Sequence, residues 1–338
     1  MSTLSSFSRP VIWGTGSWGT ALATLTSRAT SQTITLVGRD QKIAQEINEQ
    51  HGNQQFLPEI DLATNIKATT SLDPIYDADL VLFVVPTSAM RSCVESLKEK
   101  PLKPGAVLIS CAKGIERASG KRMSEIIAET FPDHPVAVLS GPNHAEEIAR
   151  NLPAAATIAS ECLETRKRLQ EFLSTDRFRL YTSPDVAGVE LGGALKNIFA
   201  IAAGVAHGLN LGDNAVAALT TRSLREMIRV GTLLGGEAET FTGLSGLGDL
   251  MTTCFSPHSR NFRVGQALAR GSSLEEAVEE LGMVAEGVPN TRSIYEVTDA
   301  KGLHCPIIDV VYDMLYRGTP PLQGLERLYQ LEPKPELA

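Results

Sequence analysis

The chain has 338 residues, 43% hydrophobic and 21% charged, with a formal net charge of −8. That composition is ordinary for a globular protein, and the acidic balance argues against a nucleic-acid groove, which needs a basic surface. The length suits two domains.

Met1 to Pro10 is polar and does not read as a signal peptide. Val11-Ile12-Trp13 is then a short apolar strand, followed by Gly14-Thr15-Gly16-Ser17-Trp18-Gly19 and by the helical run Thr20 to Leu25. In the spacing G-x-G-x-x-G the first glycine makes the tight turn. The second lets backbone approach a pyrophosphate, and the third lets helix pack on strand. The helix start adds free N–H groups and partial positive charge. In this strand–turn–helix context the motif predicts a dinucleotide site.

Thr33–Val37 predicts the second strand and Ile66–Thr69 a weaker one. Leu80–Val85, Ala106–Ser110 and Val136–Leu139 are continuous apolar runs, as strands buried on both faces must be. Helical periodicity fills the intervals, for example Ser88 to Leu97. The alternation predicts an α/β fold, a Rossmann-type doubly wound parallel sheet. Its ligands would meet the carboxyl ends of the strands: Gly14–Gly19, Arg39, Pro86-Thr87, Lys113 and Gly141.

Past residue 184 strand-like runs disappear. Helices are expected over Val186–Gly208, Asn214–Leu234, Ser259–Arg270, Ser273–Leu281, Asn290–Ala300 and Pro306–Tyr316. Ser183-Pro184-Asp185 would open the first, with proline near its first position. The expected domains are therefore 1–184, dinucleotide-binding, and 185–338, an all-helical C-terminal domain for substrate and catalysis. The Pro-rich tail Glu332 to Ala338 is expected to fray. No apolar run approaches the roughly 18 residues of a membrane span without turn residues or charges interrupting it. Cys93, Cys111, Cys162, Cys254 and Cys305 are odd in number, scattered, and form no C-x-x-C. They fit a reduced, cytoplasmic compartment. No Cys/His cluster or H-E-x-x-H suggests a metal.

Several residues carry candidate chemistry. Arg39, after the second strand, suits a 2′-phosphate and favours NADP(H). Asp40 beside it would serve the ribose, so NAD(H) stays open. Lys113, in Ser110-Cys111-Ala112-Lys113-Gly114-Ile115, points at the ligand crevice or is a solvated turn lysine. Lys196 lies in a helix apolar nearly all round, where lysine is rarely buried unless paired or functional. Burial lowers its pKa and makes it usable for proton transfer, unless it snorkels outward. Asp249, in Gly246-Leu247-Gly248-Asp249-Leu250, would steady that ammonium or cap a helix. Ser259-Arg260-Asn261, opening an amphipathic helix, suit a small phosphate; simple capping by Ser259 is the alternative. His144 and His207 rank below Lys196 as acid–base groups.

Taken in order, the glycine turn with Ser17-Trp18, Cys111–Ile115, Leu139-Ser140-Gly141-Pro142, Gly192–Asn197, Gly246–Leu250 and Ser259–Asn261 closely resemble the bacterial NAD(P)-dependent sn-glycerol-3-phosphate dehydrogenases. The resemblance runs from about Val11 to Glu326, and Gly52–Pro58 and Ala285-Glu286-Gly287 also look like family segments. It implies a Rossmann domain followed by a helical one, acting on dihydroxyacetone phosphate, with no nucleic acid or membrane partner and a homodimeric assembly.

By position, the resemblance makes Lys196 the proton donor and acceptor and Asp249 its carboxylate partner. Lys113 would touch cofactor and substrate, and Asn197 would help steady the oxyanion. Gly14, Gly16, Gly19, Ser17, Trp18, Arg39, Phe56, Ala145, Arg260, Val284 and Glu286 would be cofactor contacts. Gly141, Asn143, Ser259, Arg260 and Asn261 would hold substrate. The family usually has Ser or Thr where this chain has Asn143. Against this reading stand a same-architecture reductase of a small hydroxy acid and a non-catalytic dinucleotide sensor. The first needs no phosphate site, and the second no buried lysine.

Overall fold

Alternate residues of the strands face two different apolar layers, and that is what makes the sheet a two-sided core. In a computed structural model, which describes residues 7–330 together with 332, 335 and 336, Ile12, Leu36, Leu82 and Ile109 pack on one face. Val11, Val37, Val81 and Leu108 pack on the other. Residues 1–6 of the polar N-terminal stretch, and 331, 333, 334, 337 and 338 of the tail region, lie outside the described residues.

The strands are β1 (Pro10–Trp13), β2 (Ile34–Val37), β3 (Ile66–Thr69), β4 (Leu80–Phe83), β5 (Val107–Ser110), β6 (Val136–Ser140), β7 (Ala154–Ala159) and β8 (Phe178–Ser183). They form one sheet in the order β3-β2-β1-β4-β5-β6-β7-β8. From β3 to β6 every pairing is parallel. The six strands expected from the sequence thus pair in parallel, and two further strands extend the sheet. β7 runs antiparallel to β6, and β8 then parallel to β7. The order reverses between β1 and β4, the switch point outside whose strand ends such sheets bind their ligands.

Beyond β8 the chain is helical. Val186–Gly208 is capped by Asp185, whose side chain accepts from the Gly188 amide at 2.7 Å. The cap is thus Asp185, and Pro184 lies outside the helix. By length and composition this helix is apolar enough to cross a membrane, but charges and glycines interrupt it, as the sequence reading has it. Its only charges in the middle are Glu190 and Lys196, and 89% of its most apolar window is buried inside the protein. Around it pack Asp213–Leu233, Asp249–Cys254, Arg260–Ala269, Gly287–Ala300 and Pro306–Tyr316, with Phe199, Phe241 and Phe262 in the shared core. Helices Asp249–Cys254 and Pro321–Tyr329 had no counterpart in the sequence reading.

Candidate active site

The turn after β1 has the backbone a pyrophosphate needs. Gly14 has φ of 135°, where a side chain is strained, and a Cβ there would strike the Val84 carbonyl. A Cβ on Gly19 would overlap the Gly14 carbonyl, so the helix Ser17–Ala29 seats directly on the strand. At Gly16 nothing lies within 4 Å of the same position. The open second glycine, at a helix start, fits a dinucleotide phosphate. Ser17 Oγ donates to the Phe56 carbonyl at 2.6 Å and lies 3.9 Å from Met283 Sδ. Trp18 and Phe56 pack on the same core, and Trp18 Nε1 is buried without a described partner.

Arg39 is exposed at the end of β2. Asp40 accepts from the amides of Lys42 at 2.8 Å and Ile43 at 3.5 Å, capping Gln41–Gln50. Its charge is directed at a helix start, while Arg39 makes no salt bridge or side-chain hydrogen bond among the described residues.

Three charged groups from three elements meet beyond β5 and β6. Lys113, after β5, donates to Asp249 Oδ2 at 2.6 Å, Asn143 Oδ1 at 2.8 Å and the Gly141 carbonyl at 3.0 Å. Lys196, on the central helix, lies 2.9 Å from Asp249 Oδ1 and donates to Thr253 Oγ1 at 2.6 Å. Asp249 is only 2% exposed and Lys196 6%. Asp249 is the first residue of its helix and points at the lysines, so it is not the helix cap that its position suggested. The close seating of the central helix brings these groups together: a Cβ on Gly193 would strike Ser140 Oγ and lie 3.4 Å from Lys113 Cγ.

Burial pulls the Lys196 ammonium down to about 8, with Lys113 adding and Asp249 opposing. Burial pushes the Asp249 carboxyl up, but the two lysines outweigh it and hold it below the usual carboxylate value. An amine that titrates near neutrality beside a fixed anion can donate and retrieve a proton.

Asn197 Nδ2 donates to the Lys113 carbonyl at 3.3 Å, and its Oδ1 accepts from Asn261 Nδ2 at 2.8 Å. Asn261 Oδ1 in turn accepts from the Gly287 amide at 2.9 Å. Ser259 caps Arg260–Ala269 by accepting from the Phe262 amide at 3.2 Å. Arg260 sits in that helix's first turn and makes no salt bridge or side-chain hydrogen bond among the described residues. Burial lowers its pKa, opposed by Glu286 and Glu146 nearby. Glu286 accepts from Thr87 Oγ1 at 2.6 Å. Burial raises its carboxyl, against Thr87 and Arg260. Ala145 is buried beside the turn that ends β6, and Val284 is 49% exposed beside Met283. Asn143 takes up the Lys113 ammonium with its carbonyl, while its Nδ2 is buried without a described partner. His207 lies elsewhere, beside Gln266 and against Phe262 at the far end of the central helix.

Sequence reading missed Thr253, and it placed Thr87 at the ligand end of β4 without seeing its bond to Glu286. The signal for Thr253 was its i, i+4 spacing from Asp249 on a short helix.

Comparisons with known proteins bear on the whole chain. The family model for the N-terminus of NAD-dependent glycerol-3-phosphate dehydrogenase matches residues 11–166, and that for its C-terminus matches 185–326. A relative in Halalkalibacterium halodurans, named glycerol-3-phosphate dehydrogenase (NAD(P)+), is 44% identical over 93% of this chain and 92% of its own. The crystal structure of glycerol-3-phosphate dehydrogenase from Coxiella burnetii superposes with a TM-score of 0.92 at 36% identity, covering 96% of this chain and 99% of that one. The enzyme from Saccharomyces cerevisiae gives 0.83 at 27% identity, covering 95% and 99%.

Proposed function

The chain belongs to the NAD-dependent glycerol-3-phosphate dehydrogenase family, and from that premise we propose that the cluster of Lys113, Lys196 and Asp249 is where it interconverts dihydroxyacetone phosphate and sn-glycerol 3-phosphate. The single observation that carries the assignment is a buried lysine, its pKa pulled down to about 8 by burial, paired with a buried carboxylate.

Bound in the glycine turn, NAD(P)H would supply a hydride for the substrate carbonyl carbon. Lys196 gives the developing alkoxide its proton, and in the reverse direction takes it back. Asp249 keeps the lysine in place and compensates its charge. The second Nδ2 hydrogen of Asn197 would meet the oxygen where negative charge grows, which is where a donor lowers the barrier. Lys113, whose three ammonium hydrogens go to Asp249, Asn143 and the Gly141 carbonyl, would add its positive charge. Arg260 and Asn261, with the helix start that Ser259 caps, hold the phosphate, and Gly141 and Asn143 complete the substrate wall. Phosphate binding is remote from the reacting carbon and is spent on orientation.

Gly14, Gly16, Ser17, Trp18, Gly19, Phe56, Ala145, Val284 and Glu286 would line the cofactor. Arg39 tilts the choice toward NADP(H), with NAD(H) also used. Residues 1–184 serve the dinucleotide and 185–338 serve substrate and catalysis. All five cysteines are free, which supports a reduced cytoplasmic setting. The product would supply glycerol phosphate for phospholipid synthesis, and the working assembly would be a homodimer.

The test is cofactor oxidation with dihydroxyacetone phosphate against unphosphorylated dihydroxyacetone and a small keto acid. Turnover restricted to the phosphorylated ketone is expected. Preference for the keto acid would overturn the assignment.

A further inference from the structure

His144 stands at this site without a part in the chemistry above. It ends the turn Gly141-Pro142-Asn143-His144, whose Gly141 carbonyl and Asn143 amide hold Lys113. It also opens the short helix Ala145–Ala149. The imidazole is partly buried, and its Nε2 is shut off from solvent with no hydrogen-bond partner among the described residues. Its ring centroid lies 6.2 Å from that of exposed His258, the residue before Ser259-Arg260-Asn261. The turn that anchors Lys113 and the start of helix Arg260–Ala269 therefore meet across these two rings.

The charged groups around His144 come from every side of the site. Lys196 faces it from the central helix, Asp249 from the helix Asp249–Cys254, Lys113 from the end of β5 and Glu147 from its own helix. Burial, then Lys196, with Lys113 adding, hold the ring below its ordinary pKa, while Glu147 and Asp249 oppose them. The free ring is therefore neutral at neutral pH.

A buried polar nitrogen left without a partner carries a cost, and at a ligand site it marks where a ligand atom or a rearranged contact belongs. An imidazole in the field of two ammonium groups, its ring 6.2 Å from that of His258 just before helix Arg260–Ala269, is placed for an anion. A dianion entering there offsets the lysines and favours the imidazolium.

We propose that His144 is a further substrate-binding residue, which takes a proton from solvent and donates a hydrogen bond to the substrate phosphate as it binds. The proposal rests on the function argued above. No bond in the substrate changes: neutral imidazole, a solvent proton and the phosphate dianion become an imidazolium–phosphate pair. The competing anion is the cofactor pyrophosphate, whose place is the start of helix Ser17–Ala29.

Two measurements test it. The first is an NMR titration of the histidines in the wild-type protein, which has six. The His144 signal is identified by its loss in His144→Gln. It is followed free, with sn-glycerol 3-phosphate, and with NADP+ alone. The His144 pKa should rise by about one unit with glycerol phosphate and stay put with NADP+ alone. The second is the KM for dihydroxyacetone phosphate. His144→Gln should raise it about tenfold near pH 6, the size of one charge-assisted hydrogen bond, and by less than about threefold near pH 8.5, where the imidazolium is lost.

A His144 titration unmoved by glycerol phosphate, or moved equally by NADP+, overturns the proposal. So does a KM ratio that is the same at both pH values. If His144→Gln does not melt cooperatively, the wild-type titration decides, with the signal identified through His144→Asn. Wild-type turnover with an unmoved His144 sinks only this proposal. Absence of turnover with dihydroxyacetone phosphate sinks the function it rests on as well.

Discussion

Lys113 and Lys196 grip opposite oxygens of one carboxylate. Lys113 Nζ is 2.6 Å from Asp249 Oδ2, and Lys196 Nζ is 2.9 Å from Asp249 Oδ1. The two are not equivalent. The Lys196 side chain is 8% exposed and that of Lys113 17%, so the deeper amine carries the larger desolvation. One anion between two cations leaves a net positive pocket, suited to a phosphorylated ketone and to a developing alkoxide.

The pKa of Lys196 sets the pH dependence. Reduction needs the protonated amine, so kcat/KM for dihydroxyacetone phosphate should fall as pH rises through about 8. Oxidation of glycerol 3-phosphate needs the neutral amine and should rise over the same interval. Rate profiles in both directions check this. Limbs of the same sign in both directions would remove Lys196 from the proton transfer.

Thr253 is the second partner of the Lys196 ammonium, at 2.6 Å. Thr253→Val removes an acceptor from the charged form, so the amine should lose its proton more readily. The falling limb of reduction should move to lower pH, and kcat at neutral pH should drop about tenfold, in line with a lost charge-assisted hydrogen bond. Thr253→Ser should restore both. A lower kcat with an unshifted profile would make Thr253 a packing residue only.

The legible parts of this chain were those with local rules. The glycine turn is visible because backbone shape dictates residue type. The central helix is visible because an apolar run of that length needs a cap, and Asp185 stands at its start. β7 reads Ala-Ala-Ala-Thr-Ile-Ala, and its alanines carry little strand preference. β8 alternates buried and exposed residues at the sheet edge, so no continuous apolar run announces it. The site itself was legible as separate residues and not as a geometry. Lys113 and Asp249 are 136 positions apart, and the packing of the central helix against β6 and against the Asp249 helix joins them. Asn143 shows the same limit: its type departs from Ser or Thr, yet its amide oxygen reaches Lys113 at 2.8 Å.

Arg39 is exposed at the end of β2, and its neighbour Asp40 is committed to a helix cap. Arg39→Asp should therefore turn preference from NADP(H) toward NAD(H), because a carboxylate repels a 2′-phosphate and accepts from ribose hydroxyls. The ratio of kcat/KM for the two cofactors measures it. An unchanged ratio would place Arg39 outside the adenosine pocket.

The central claim is that Lys196 moves the proton. The most direct measurement is a single turnover of Lys196→Ala, loaded with NADPH and mixed rapidly with dihydroxyacetone phosphate, alongside NADPH binding to the same variant. The hydride-transfer rate should fall by about 10²-fold or more, the usual contribution of a general acid, while the NADPH Kd stays within about threefold of wild type. A variant that keeps more than about a tenth of the wild-type rate would contradict the account.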